Sequence, residues 1–222
     1  MANFGIDDLR LVNPCRHLHP EASKYAVFAK ELLGKATTYE TLQEALADLH
    51  ASFATTRRQG RLRGQILEST EVPTILDRLP PHARTGLVFG REDSGLTNAE
   101  VALCSHVTTI SGCSDQGSLN LAQAVLAMLY EISRRPVQTT GKIDLPTHQD
   151  HEALFTQMER VLDRIAFLNP SRPETVMIPL RQMLHRSSPT RQEIAVLRGI
   201  CSQIEDSILN WPRKRRGGGD QD

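Results

Sequence analysis

The chain has 222 residues, which leaves room for one domain or for one domain with a small appendage. Hydrophobic residues make up 39% of the chain and charged residues 23%, which excludes a disordered or fibrous protein. The net charge of zero is unevenly distributed: residues 1–155 carry 15 Lys and Arg against 18 Asp and Glu, and residues 156–216 carry 11 against 6. A basic C-terminal segment favours contact with a polyanion, although such a face more often only keeps a protein in solution.

Several classes of protein are excluded by what the sequence lacks. No stretch approaches the roughly 18 consecutive apolar residues that span a bilayer, and residues 1–11 do not have the pattern of a secretory signal. We expect no metal site, because the eight histidines do not combine with cysteines or acids at metal-ligand spacing. Four cysteines without CxxC spacing are interpreted as reduced thiols of a cytoplasmic protein. They are Cys15, Cys104, Cys113 and Cys201.

Short apolar runs alternate with helical patterns along the first 135 residues. This alternation predicts an α/β fold in which a parallel sheet is covered by helices on both faces. Capping-box spacing predicts helices that begin near Thr37 and Thr97, and helical periodicity covers 20–33. A helix over 118–134 is predicted with one apolar stripe. The stripe contains Leu119, Ala122, Leu126, Leu129 and Tyr130. The predicted strands are 9–12, 51–55, 85–90 and 106–110.

The second part of the chain has only helical patterns. Residues 1–136 are predicted to form the α/β domain, 137–149 a linker, 150–212 a small all-helical extension and 213–222 a disordered basic and glycine-rich tail. Pro179 lies inside the middle helical pattern, over 173–185, so we expect a kink or a late helix start there. Thr190 and Glu193 have capping-box spacing and predict the start of the last helix.

Three segments contain residues suited to ligand binding. LVFGREDSGLTNAE (87–100) joins a strand to a capped helix through Gly90, and TTISGCSDQGSLNLAQAV (108–125) joins a strand to a helix through small residues. FATTRRQGRLRG (53–64) contains four arginines in seven residues after a strand. Ligands bind at the carboxyl ends of parallel strands, where amides and arginines hold polar or phosphate groups. Plain connections and a solvated loop are the alternatives for these segments.

FGREDSGLTN followed by SLNLAQAV resembles the second and third motifs of the SpoU/TrmH (SPOUT) family of RNA 2′-O-ribose methyltransferases. NFGIDDLRLVNP and FATTRR are similar to other segments of that family. Residues 167–205 resemble the C-terminal extension of its TrmJ-type members, which methylate tRNA at cytidine or uridine 32. The resemblance implies a trefoil-knot SPOUT fold, S-adenosylmethionine as cofactor, the tRNA anticodon loop as target and a homodimer. Ribosomal RNA is the alternative substrate.

The resemblance also implies roles for individual residues. The residues expected around the reacting ribose are Glu92, Ser118 and Asn120. The residues expected to bind the cofactor are Thr55, Thr56, Arg57, Gly90, Ile110, Gly117, Ser118 and Leu119. The residues expected to contact RNA are Arg57, Arg58, Arg61, Arg63, Arg91, Arg172, Arg181, Arg186 and Arg198, together with the basic tail.

The chain departs from the family at its start. The family's first motif, Asn-x-Gly with an arginine four residues later, precedes the segment that aligns with residues 1–12, so this motif and the first strand are missing. The arginine is implicated in activating the ribose hydroxyl. One hypothesis is that Met1 is an internal methionine of a longer protein. The other is that the chain is a catalytically defective, RNA-binding relative.

Overall fold

The computed structural model describes residues 1–15, 18–57, 66–111, 119–134 and 144–208. The chain forms two compact units, Met1–Lys142 and Ile143–Asp222. The predicted tail, 213–222, lies outside the described residues. The first helix described in the second unit begins at His148, within the segment 137–149 that was predicted as a linker.

The first unit contains two sheets, and all strand pairings described in it are parallel. This confirms the predicted parallel α/β architecture, although two of the strands, β2 and β4, were not predicted. One sheet pairs β1 (Arg10–Val12) with β2 (Thr37–Tyr39). The other has the order β4-β6-β3-β5 and consists of β3 (Ala51–Thr55), β4 (Ile66–Glu68), β5 (Thr85–Val88) and β6 (His106–Thr109).

The helices of the first unit depart from prediction at two places. The helical pattern over 20–33 is interrupted by a 3-10 turn at Val27–Ala29. The helix start predicted at Thr37 is wrong, because Thr37–Tyr39 is β2 and the next helix is capped by Thr41 with Glu44. The helices are α1 (Pro20–Ala26), α2 (Lys30–Gly34), α3 (Leu42–Leu46), α4 (Val72–Asp77), α5 (Asn98–Leu103) and α6 (Leu121–Ser133), with further 3-10 turns at Ala2–Phe4 and Ser69–Glu71.

The four-stranded sheet has apolar packing on both faces around β3. Phe53 and Ala54 are fully buried, and alternation along the strand directs them to opposite faces. Ala54 packs with Leu46 and Val101, from α3 and α5. Phe53 packs with residues of α4 and α6, including Met128. The sheet is therefore covered on both faces, as the continuous apolar run of β3 predicts.

Charged side chains join the amino ends of three strands. Arg10, at the start of β1, pairs with Asp48 at 2.5 Å and with Asp8 at 2.9 Å, and donates to the Ala45 carbonyl at 2.6 Å. Arg84, directly before β5, pairs with both acids. Because Asp48 lies just before β3, the amino ends of β1, β3 and β5 meet at one edge. Because β3 and β5 pair in parallel, their carboxyl ends lie together at the opposite edge of the four-stranded sheet.

The second unit is helical in its described part. Its helices are α7 (His148–Arg164), α8 (Glu174–Ser187) and α9 (Arg191–Ile208). They enclose a core that includes Leu154, Phe155, Met177 and Ile194. Of the two alternatives expected at Pro179, the late helix start is wrong, because α8 already begins at Glu174 and continues through the proline, and the kink stays a prediction. The predicted cap of α9 is confirmed, since the Thr190 hydroxyl accepts from the backbone N–H of Glu193.

Three further observations concern membrane-spanning helices, metal ligands and cysteines. In the described part of the chain, no helix is long and apolar enough to cross a bilayer. Within the same residues, no group of three or more His, Cys, Asp or Glu side chains is suited to hold a metal ion. Cys15, Cys104 and Cys201 are free thiols, and Cys113 lies outside the described residues. The trefoil knot implied by the resemblance stays a prediction, because the described residues do not include 58–65 and 112–118.

Candidate functional site

The carboxyl end of β3 has a buried polar group without a hydrogen-bond partner among the described residues. The Thr55 hydroxyl is buried and has no hydrogen-bond partner among the described residues. The next residue, Thr56, donates its backbone N–H to the carbonyl of Thr108 at 2.9 Å, which ties the strand end to β6. Leaving a buried hydroxyl unpaired costs about 1–3 kcal/mol. This position, at the edge of the sheet where parallel folds bind ligands, is therefore suited to a polar group of a ligand.

The loop after β5 folds tightly onto itself at Gly90. A Cβ atom at Gly90 would lie 2.1 Å from the carbonyl carbon of Gly95 and 2.3 Å from the backbone nitrogen of Leu96. Gly95 has a φ of 68° and donates its N–H to the Arg91 carbonyl at 2.8 Å. The glycine at position 90 is thus required by the close approach of two backbone segments. β5 itself ends at Val88, two residues earlier than predicted.

Arg91 is held beside the start of α5. Thr97 caps this helix with Glu100, as predicted, and the Arg91 guanidinium donates to Glu100 at 3.3 Å. Burial would raise the pKa of the Glu100 carboxyl, but hydrogen bonds from Thr97 and the charge of Arg91 outweigh it and lower that pKa. Arg91 is thereby oriented by an ionised partner while more than half of its side chain stays exposed.

Glu92 and Asn120 are joined by a direct side-chain hydrogen bond. The Asn120 amide donates to the Glu92 carboxylate at 2.6 Å, and its carbonyl oxygen accepts from the backbone N–H of Ala122 at 2.9 Å. Asn120 is therefore the N-cap of α6, completed by Gln123 in a capping box. The helix predicted over 118–134 is confirmed as α6, which follows this cap. The structure brings together two of the three residues expected at the reacting ribose.

A cavity of about 540 Å³ lies against this pair. Glu92 and Asn120 form its polar end, and apolar side chains form the remainder. Met1 and Phe4 were not predicted as site residues. They belong to the 3-10 turn Ala2–Phe4 and its N-cap, and this turn contacts α6. The apolar stripe predicted for α6 is the sequence signal that could have indicated a neighbouring apolar segment. The lining residues are Met1, Phe4, Glu92, Asn120, Leu121, Ala122, Val125, Leu126 and Leu129.

Three other predicted cofactor residues lie in the described part of the chain, namely Ile110, Leu119 and Arg57. Ile110 follows β6 and packs partly against the core cluster of Phe53 and Met128. Leu119 precedes α6 and is about half exposed. Arg57 is exposed at the end of the segment after β3. Gly117 and Ser118 lie outside the described residues, as do Arg58, Arg61 and Arg63.

The predicted stripe of α6 is mostly exposed. Leu129 is buried, but Leu126 and Tyr130 are 57% and 54% exposed. The core instead takes up Met128 from this helix. A half-exposed run of leucines and a tyrosine on one helix is the kind of patch that marks a contact surface.

The arginines predicted to contact RNA in the second unit differ in their surroundings. Arg172, Arg186 and Arg198 are exposed, and Arg198 also donates weakly to Gln157 at 3.4 Å. Arg181 is mostly buried: its guanidinium pairs with Glu152 through both nitrogens and lies 4.4 Å from the ring centroid of Phe155. Contact of Arg181 with RNA stays a prediction, and its geometry favours a role in joining α7 to α8.

Comparisons with known proteins agree with this geometry. The SpoU rRNA Methylase family model matches residues 1–130, and the model for the C-terminal domain of the tRNA methyltransferase TrmJ matches 149–216. The tRNA (cytidine/uridine-2′-O-)-methyltransferase TrmJ of Yersinia pestis (strain Pestoides F) is 34% identical over 98% of this chain and 88% of its own length. The tRNA (cytidine/uridine/adenosine-2′-O-)-methyltransferase TrmJ of Pseudomonas aeruginosa (strain UCBPP-PA14) is 33% identical over 97% and 90%.

A solved structure extends the similarity to the fold. The crystal structure of TrmJ from Z. mobilis ZM4 superposes with a TM-score of 0.77 at 31% identity, covering 92% of this chain and 90% of that one. A probable methylase family protein from Haemophilus influenzae Rd KW20 superposes with a TM-score of 0.56 at 25% identity. The family expected from the sequence motifs is confirmed: the chain belongs to the SpoU methylase family and groups with its TrmJ-type members.

Proposed function

We propose that this protein is an S-adenosylmethionine-dependent tRNA 2′-O-methyltransferase. The observation that carries the proposal is the hydrogen bond between Glu92 and Asn120 at the polar end of the cavity, at 2.6 Å. These two residues come from the two segments that carry the family motifs. The names of the TrmJ relatives and the match of 149–216 to the TrmJ C-terminal domain support tRNA over ribosomal RNA as substrate.

The residues at the carboxyl edge fit the cofactor. Thr55 has a buried hydroxyl that lacks a partner among the described residues, and a ligand with several polar groups would satisfy it. Thr56, Arg57, Gly90, Ile110 and Leu119 would complete the binding site with backbone groups and apolar walls. When bound, S-adenosylmethionine supplies an electrophilic methyl group carried on a sulfonium sulfur.

The chain's own contribution to the reaction is positioning and removal of a proton. A ribose 2′-hydroxyl is a weak nucleophile until it loses its proton, so a group within hydrogen-bond reach has to accept that proton or polarise the O–H bond. Asn120 fixes the Glu92 carboxylate at the start of α6, where the carboxylate can accept a hydrogen bond from the ribose. Correct placement of the two reactants supplies much of the remaining acceleration.

The second unit supplies a basic surface for the RNA. Exposed Arg172, Arg186 and Arg198 suit contacts with the phosphate backbone, which are independent of sequence and sensitive to salt. The resemblance of 167–205 to the TrmJ extension supports a target ribose in the anticodon loop.

We also propose that the protein acts as a homodimer in the cytoplasm. The half-exposed apolar side of α6, with Leu126 and Tyr130, supports a contact with a second copy, because burying it would remove apolar surface from water. Dilution in analytical ultracentrifugation checks this: a Leu126→Glu variant should sediment as a monomer at concentrations where the unmodified chain is dimeric.

A methyl-transfer assay tests the function. The protein is incubated with unmodified tRNA and labelled S-adenosylmethionine, and the nucleosides are analysed by mass spectrometry. The 222-residue chain is assayed beside one extended by the in-frame upstream codons. A 2′-O-methylnucleoside is expected, and Glu92→Gln should reduce its formation at least 100-fold, whereas the exposed control Glu40→Gln should not. Absence of product from both chains, with tRNA binding retained, would support the defective relative instead.

A further inference from the structure

The segment between β1 and β2 exposes an unusual number of large side chains. It comprises α1, the 3-10 turn Val27–Ala29 and α2, and none of these three elements contains a buried residue. Tyr25 is 83% exposed and Phe28 is fully exposed. The chain contains only six Phe and three Tyr, so placing two of these rings in water, three positions apart, needs an explanation that packing does not supply.

The charges around the two rings favour an anionic partner. Lys24 directly precedes Tyr25, and Lys30 follows Phe28 by two residues. Both lysines are exposed and make no ion pair within the described residues. In the same segment one acid, Glu31, is paired with Lys35 at 2.6 Å, and the other, Glu21, is exposed and lies 4.0 Å from the His19 ring. Two free ammonium groups thus flank two free aromatic rings.

The segment follows β1 directly along the chain. Asp8, Arg10, Asp48 and Arg84 hold the amino end of β1 against those of β3 and β5. The exposed rings therefore belong to the same compact unit as the candidate site.

We propose that Tyr25 and Phe28 form a stacking platform for unpaired bases of the RNA substrate, with Lys24 and Lys30 contacting its phosphates. Sequence-tolerant stacking of single-stranded bases on aromatic side chains, combined with lysine contacts to the backbone, is how proteins hold loops and single strands. A second copy of the chain is the alternative occupant, which the oligomeric state of the ring variants tests. The proposal rests on the proposed function, because it takes tRNA as the substrate.

Binding measurements with matched variants test the platform. The double variant Tyr25→Ala and Phe28→Ala should weaken binding of unmodified tRNA at least tenfold, since base stacking on a ring contributes strongly to affinity. S-adenosylmethionine binding should stay within twofold. The ring-preserving variants Tyr25→Phe and Phe28→Tyr should bind like the unmodified chain, as should Leu18→Ala, which removes an exposed aliphatic side chain from the same region.

Two further readouts separate stacking from other contacts. A fluorescent 2-aminopurine placed in the loop of an anticodon stem-loop should be quenched by the protein, and less so by the double variant. A perfect RNA duplex should bind both proteins equally. Replacing Lys24 and Lys30 by Ala should make the decrease of log affinity with log salt concentration less steep by about two. This measurement does not require the aromatic variants to fold.

Several results would overturn the platform while leaving the proposed function intact. If the unmodified chain methylates tRNA but the double variant binds it equally well, or if Leu18→Ala weakens binding as strongly, the rings do not stack on bases. An unchanged salt slope in the lysine variant would have the same meaning. A change of oligomeric state in the double variant would assign the patch to a protein contact. Failure of methyl transfer by the unmodified chain would instead count against the function.

Discussion

The two edges of the sheets in the first unit are built on opposite principles. At the amino edge, Arg10 and Arg84 are paired with Asp8 and Asp48. At the carboxyl edge, the Thr55 hydroxyl is buried without a partner in the described part of the chain. The charge pairs at the amino edge stabilise the fold, although the buried Nδ1 of His106 at that edge also lacks a partner among the described residues, whereas the unpaired hydroxyl of Thr55 lies at the edge of the candidate site. The difference is that the amino edge is held by charge pairs, whereas the carboxyl edge has a polar group that suits a ligand.

The strongest test of this difference between the two edges is to change Asn120 without disturbing the helix that it caps. Aspartate caps helices as well as asparagine does, but Asn120→Asp replaces the amide that donates to Glu92 with a second carboxylate. We expect the rate of methyl transfer to fall about 100-fold, since positioning at the reacting centre is lost, while the melting temperature stays nearly unchanged. A parallel loss of the melting transition would show that the carboxyl edge also maintains the fold.

The amino edge should respond in the reverse manner. The Arg10 side chain is mostly buried, and its hydrogen bond to Asp48 lowers the pKa of that carboxyl. Arg10→Met should cost about 1 kcal/mol of unfolding free energy, since it removes a mostly buried guanidinium and its hydrogen bond to the Ala45 carbonyl, while Arg84 still pairs with both half-exposed acids. Methyl transfer per folded molecule should be retained. Chemical denaturation measures the first quantity and active-site titration the second.

A matched control for Arg10 lies in the exposed pair of Lys35 and Glu31. Lys35→Met should leave the denaturation midpoint unchanged, because exposed ion pairs contribute little to stability. If both lysine and arginine variants lose stability equally, burial is not what distinguishes the amino edge.

Acid should weaken the sheet through His106, at the amino end of β6. Its ring stacks on Phe53 with centroids 4.9 Å apart, and burial lowers the pKa of His106 to about 4. The pKa of His106 is lower in the folded state than its unfolded value of about 6.5. The ring is therefore neutral in both states above pH 6.5, and folding stability is lost as the pH falls from 6.5 towards 4. We expect a loss of about 2 kcal/mol between pH 7.5 and pH 5 from this residue.

The variant His106→Phe isolates that contribution. It keeps a ring against Phe53 and removes the titration, so its unfolding free energy should fall less between pH 7.5 and pH 5 than that of the unmodified chain. The buried His148 and His151 of the second unit, whose pKa values burial also lowers, titrate equally in both proteins and cancel in the comparison. Identical pH dependence in the two proteins would contradict the assignment to His106.

The central strands and the caps of α5 and α9 could be predicted because their determinants are local. The continuous apolar run of β3 and the Thr-x-x-Glu spacing at Thr97 are read within a few residues. The cap of α3 was misplaced because TTYE and TLQE have the same spacing, and only pairing with β1 makes Thr37–Tyr39 a strand. Local pattern does not decide between two equal caps when a distant strand takes one of them.

For the candidate site, too, local motifs could be predicted from the sequence, whereas contacts between distant residues could not. The motifs predicted that Glu92 and Asn120 lie near the reacting ribose, but the hydrogen bond between these residues, 28 positions apart, is visible only in the folded structure. The burial of Arg181 depends on Glu152, on the preceding helix, so nothing in the sequence separated it from Arg172. Charge can be counted from a sequence, whereas its accessibility is a property of packing.

The same difference between paired and unpaired groups distinguishes two arginines of the second unit, Arg172 and Arg181. The change in tRNA binding expected for them is the smallest of those predicted. Arg172→Ala should weaken tRNA binding a few-fold and lower the salt slope by about one, since it removes one phosphate contact from an exposed position. Its melting temperature should not change. Arg181→Ala should lower the melting temperature, because it leaves the Glu152 carboxylate without its partner, with an unchanged salt slope for the folded fraction. A reduced salt slope in Arg181→Ala would mean that tRNA draws this side chain out of its ion pair, and that pairing in the free protein does not identify a structural arginine.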